Sequence, residues 1–92
     1  PELELEDADC SPMSTRAYRR MLKRKGYDLT GLDVDHIVPK SLGGADHPWN
    51  YQLLPSSLNR SLQATWNADK CAMAGSMCAA AVAVSKLCGN FS

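Results

Sequence analysis

Helical spacing appears first at Tyr18, Met21 and Leu22, positions i, i+3 and i+4 of one apolar stripe with basic residues on the other faces. Ser14 stands where an N-cap is required and Gly26 where a helix closes at C′, so a helix is predicted between them. Leu32 to Val38 alternates apolar and polar and reads as a strand ended by Pro39, with Leu32 and Val34 facing inward and Ile37 as a further inward candidate. Lys40 to Trp49 carries Gly43-Gly44, Asp46 and Pro48 and is predicted to be a loop. Asn50 to Leu54 forms a second short strand stopped by Pro55. Ser56 or Ser57 then caps a helix through about Trp66, and Asn67 caps a further helix, Ala68 to Leu87, ended by Gly89. The order helix, strand, loop, strand, helix, helix predicts a small α+β domain over residues 14–92. Residues 1–13 read as a flexible acidic tail, broken by Ser11-Pro12.

A chain of 92 residues allows one core and one site. With 45% hydrophobic and 22% charged residues it is not a disordered chain. The longest uncharged run, Cys71–Ser85, falls short of the ~20 residues of a membrane-spanning helix, and no membrane partner is expected. No signal-peptide pattern is present, and a first residue of Pro1 points to release from a longer chain.

The net charge of zero conceals two unlike blocks. Glu2, Glu4, Glu6, Asp7 and Asp9 precede residue 14, and Arg16, Arg19, Arg20, Lys23, Arg24 and Lys25 follow it. The basic block suits a polyanion, or is a solvated face against which the acidic tail folds. Of the four cysteines no two are spaced C-x-x-C, and Cys71, Cys78 and Cys88 lie in Ala-rich surroundings. That predicts free, buried thiols in a reducing intracellular compartment, with no structural zinc. Ala74, Gly75, Ala79 and Ala81 permit close helix packing, so helix 68–87 is a candidate homodimer face or a surface that packs on a longer parent chain.

Candidate chemistry concentrates in Asp35-His36-Ile-Val-Pro-Lys40, Trp49-Asn50 and Leu58-Asn59-Arg60. A hairpin packed on the following helix brings the end of the first strand close to Asn59. Asp and Asn oxygens are hard donors that suit Mg²⁺ and leave room for waters and phosphate oxygens. Neighbours on a strand point to opposite faces, so Asp35 and His36 share a cleft only if the strand ends or twists there, as Pro39 suggests.

In order and spacing, Asp35-His36-Ile-Val-Pro, Gly43-Gly44, Trp49-Asn50-Tyr-Gln-Leu-Leu and Asn59-Arg60 resemble the HNH endonuclease family, the ββα-metal nucleases. The resemblance spans roughly residues 31–63 and implies a motif core within 31–66 made of hairpin plus helix. It implies that Asp35 and Asn59 bind the metal and that His36 is the general base, as suits an imidazole with an unperturbed pKa of ~6.5. It also implies that Asn50 ties down the loop and helps orient His36. Lys40 and Arg60 flank the cleft as phosphate contacts, joined by Lys23, Arg24 and Lys25 from the basic helix.

Two features depart from common family patterns. The paired C-x-x-C knuckles are missing, and the last motif position is Asn59 rather than His, which favours one Mg²⁺ or Mn²⁺ over zinc or nickel. Gln63, one turn after Asn59, is either an extra ligand or an ordinary polar contact. His47 reads as a solvated loop residue and Trp49 and Trp66 as packing groups. The implied activity is metal-dependent hydrolysis of DNA, with RNA as an alternative polymer. The rivals are a binding module without turnover and a nuclease domain of a larger toxin or DNA-processing machine.

Overall fold

The computed structural model describes residues 9–62 and 68–91, which form a small mixed α+β domain. Helix α1 spans Thr15–Arg24, and the Ser14 side chain accepts a hydrogen bond from Ala17 N at 3.0 Å. It closes in a Schellman turn, with Gly26 N donating to Lys23 O at 3.0 Å and Tyr27 N to Leu22 O at 3.1 Å. Arg19 turns inward and donates to Leu32 O at 2.6 Å and Leu29 O at 3.3 Å. One base of the basic block therefore anchors α1 to the start of the sheet.

Strands β1 (Leu32–His36) and β2 (Tyr51–Pro55) pair antiparallel, with Asp35 opposite Gln52 and His36 opposite Tyr51. Three expectations change here. The first strand ends at His36 rather than running to Val38. Asn50 belongs to a 3₁₀ turn, Pro48–Asn50, and β2 starts one residue later. Leu32 and Val34 are only half-buried, whereas Asp35 is buried. A hairpin of two strands receives partial cover on each face, and the face carrying Asp35 and Gln52 is closed by Lys70. Leucine and valine face inward only where the third dimension supplies a partner.

The long connection from Ile37 to Asn50 is held from within. Asn50, fully buried, accepts from Val38 N at 2.8 Å and donates to Val38 O at 3.0 Å and Ala45 O at 2.9 Å. The chain passes so close that a Cβ on Gly44 would lie 1.8 Å from Val38 O, which leaves glycine as the residue that fits. Asn50→Ala removes all three bonds and leaves buried backbone groups unpaired. The expected loss is about 3 kcal/mol, or on the order of 15 °C in Tm for a domain of this size. A melting curve within a few degrees of the parent's would show that the loop closes without this side chain.

Helix α2 spans Ser56–Leu62, so the expected helix to Trp66 is described only in its first part; Gln63 and Trp66 lie outside the described residues. The predicted single helix 68–87 is instead two: α3 (Ala68–Ala74) and α4 (Met77–Cys88). Gly75 adopts φ +60° between them, a left-handed conformation that stops a helix. The core joins Ile37 and Val38, just beyond β1, to Ala74, Cys78 and Ala81, with Cys71, Val82 and Phe91 packed around it.

The cysteines are not free thiols. Cys10 pairs with Cys88 and Cys71 with Cys78. On one unbroken helix a spacing of seven residues would separate the second pair by ~10 Å. The break at Gly75 brings their Cα atoms to 5.2 Å, within disulfide range. The first pair ties residues 9–13 to the C-terminal end of α4. Met13 N also donates to Asp46 O at 2.9 Å, and Tyr51 Oη donates to Met13 O. This part of the expected flexible tail is therefore strapped to the loop; residues 1–8 lie outside the described residues. Among the described residues no helix is long and apolar enough to cross a membrane.

Candidate active site

β1 ends at His36, and this ending lets adjacent residues serve one cleft. Asp35, His36, Lys40, Asn59, Arg60 and Lys70 all line an open depression of about 620 Å³. Asn50 does not line it; its fully buried side chain bonds to the loop backbone. Its backbone carbonyl accepts from Ile37 N at 2.8 Å, which fixes the chain immediately after His36.

His36 Nε2 lies 2.8 Å from Asp46 Oδ1. An ionised carboxylate only accepts, so Nε2 carries the proton and Nδ1 is left as the basic nitrogen. The edge-to-face contact with Tyr51, ring centroids 4.9 Å apart, fixes the imidazole from the side. Burial alone would raise the Asp46 carboxyl. The hydrogen bonds from His36 and Lys40 and their charges outweigh burial, and it titrates below its ordinary value of 3.8. Tyr51 is pushed up, by burial first and then by Asp46, so it remains a protonated donor beside that carboxylate.

Asp35 and Asn59 both line the cleft and carry side-chain oxygens. Asn59 Nδ2 donates to Asp33 Oδ2 at 3.2 Å, which leaves its carbonyl oxygen for another partner. Ser56 and then Asn59, donating to Asp33, hold that carboxyl below its ordinary value. Asp35 Oδ2 accepts from Gln52 Nε2 at 2.9 Å, and Oδ1 lies 3.2 Å from Lys70 Nζ. A carboxylate and an amide carbonyl are hard donors of the kind that suits a magnesium-type cation, and a cation reaching Asp35 would meet oxygens already engaged by Gln52 and Lys70. Among the described residues no group of three or more His, Cys, Asp or Glu converges on one point, so protein donors alone do not complete such a shell.

The flanking cations divide. Lys40 and Arg60 line the cleft; Lys40 Nζ rests 3.0 Å from Asp46 Oδ2 with 70% of its side chain exposed. Lys23, Arg24 and Lys25 are exposed at the far end of α1 and do not line the cleft. Arg16 and Arg19, near the start of the helix, line a neighbouring depression that shares Val34 and Asn59 with it. His47 is half-buried rather than solvated: its Nδ1 accepts from Trp49 N at 3.1 Å and caps the 3₁₀ turn, and burial pushes its pKa down.

Asp46, Tyr51, Gln52 and Lys70 were not among the residues the sequence singled out for the site. Asp46 carried a signal, as the acid of a second Asp-His pair, but the contact belongs to its carboxylate and to His36 ten residues earlier. Lys70 is the one base between Arg60 and Lys86, at the head of the uncharged run Cys71–Ser85, and that position was the available clue. No family model, curated protein or solved structure matches this chain, so what the site does has to be read from its own residues.

Proposed function

We propose that this domain is an HNH-type, metal-dependent endonuclease that hydrolyses phosphodiester bonds in DNA. The observation that carries the reading is a histidine held by a carboxylate, facing the same cleft as two oxygen donors and two flanking cations. His36 Nδ1 takes a proton from water as the water oxygen bonds to phosphorus and the P–O3′ bond breaks, and the departing O3′ takes a proton from solvent. Asp46 holds the ring in the required tautomer and balances the imidazolium that forms. Asn50 fixes the loop that presents Asp46 through its bond to Ala45 O. Lys40 and Arg60 meet the non-bridging phosphate oxygens. Asp35 and Asn59 would hold a divalent cation, Mg²⁺ or Mn²⁺, which would supply Lewis-acid polarisation of the phosphate and stabilisation of the leaving oxygen. Contacts to phosphate oxygens carry no sequence information, so this reading carries weak sequence selectivity. The two disulfides support work in an oxidising compartment rather than the reducing one expected from the sequence.

The test is nicking of a supercoiled plasmid with Mg²⁺ and with excess chelator. Nicked circles should accumulate only with the metal. Asp35→Ala should slow nicking more than Asn59→Ala, since it removes a charge as well as a donor. Binding of the plasmid without nicking under any divalent metal would make this a binding module and end the enzyme reading.

A further inference from the structure

Lys70 is 1% exposed, an uncommon place for a lysine. It comes from α3, far along the chain from the hairpin, and its ammonium lies 3.2 Å from Asp35 Oδ1, on a carboxylate that is itself 6% exposed. Gln52 occupies the other carboxylate oxygen at 2.9 Å. The residue expected to hold a metal is thus already neutralised by a cation of the protein's own, and that cation lines the same cleft as His36, Asn59 and Arg60.

We propose that Lys70 is a positioning residue that competes with the divalent cation for Asp35 and thereby sets the metal affinity of the cleft. The inference rests on the reading of Asp35 as a metal ligand. A buried carboxylate without a partner destabilises a fold, and Lys70 supplies one while the metal is absent. The same ammonium repels a divalent cation brought to the same oxygens, because two positive centres a few ångströms apart in a partly dry cleft interact strongly. Metal entry therefore requires the Lys70–Asp35 contact to open. A purely structural ion pair would hold the fold equally well but would have no bearing on cation affinity.

The experiment is calorimetric titration with Mn²⁺ alone on the full chain, for the parent, Lys70→Met, Lys70→Gln and Lys70→Arg, with Asp35→Ala as the ligand control. Lys70→Gln covers the case in which Lys70→Met does not fold, since an amide still donates to Asp35 without charge. Loss of the positive charge should tighten Mn²⁺ binding by roughly tenfold or more, and Lys70→Arg, which retains it, should stay at the parent's affinity or below. Parent-like or weaker binding in both neutral variants would overturn the proposal and leave Lys70 a structural partner. Mn²⁺ binding that Asp35→Ala leaves unchanged would overturn it together with the metal half of the functional reading. Lys70-dependent affinity in a protein that nicks no plasmid would sustain the competition and remove only the nuclease.

Discussion

Replacing His36 by alanine is expected to slow plasmid nicking by roughly 10²–10⁴-fold, the usual contribution of a general base, while the fold and the affinity for DNA stay close to the parent's. The ring is half-buried at the end of β1, so its loss removes the Tyr51 contact and the bond to Asp46 but no part of the apolar core. Added imidazole should restore part of the rate in the alanine variant, because the missing group is a base and the space it occupied opens onto the cleft. Asp46→Asn should also lower the rate, since an amide balances no charge on the imidazolium. The pH dependence has a definite sign. Asp46 is held below its ordinary value of 3.8, so the carboxylate that orients His36 stays ionised across the neutral range, and its support of the rate should be lost only as pH falls below that value. Undiminished nicking by purified His36→Ala would remove His36 from the chemistry.

The two disulfides are expected to contribute unequally to stability. Cys10–Cys88 closes the chain across a separation of 78 residues and Cys71–Cys78 across 7. In the chain-entropy account the long loop stabilises by about 4.5 kcal/mol and the short one by about 2.5 kcal/mol. A domain of this length has a net stability of roughly 5–14 kcal/mol, so losing the first bridge removes a large share of it. Urea unfolding of Cys10→Ser/Cys88→Ser and of Cys71→Ser/Cys78→Ser, each as a pair, measures both. The first pair should show the larger fall in midpoint. It should also lose nicking activity in conditions where it remains folded, because the bridge holds the Met13 segment against Asp46 and Tyr51. A larger fall in the second pair would mean that the bridge across the short loop carries more than chain entropy.

Local signals in the sequence were enough for the elements that obey local rules. Ser14 and Gly26 bound α1 because caps and left-handed glycines act on backbone groups within one turn. The hairpin followed from alternation and from the two prolines that stop it. The meeting of Asp35, His36 and Asn59 beside one cleft followed from the hairpin itself, since β2 returns antiparallel along β1 and runs directly into α2, which packs back against β1. Everything that depended on distant chain segments was decided by the tertiary structure. The pairing of Cys10 with Cys88, the approach of Lys70 to Asp35 and the bond between Asp46 and His36 each require a long loop to close. No periodicity or spacing encodes which loops close, because closure is selected by the packing of the whole core. The inward turn of Asp35 in place of Leu32 and Val34 has the same origin: alternation says which residues share a face, and only the packed neighbours say which face is buried.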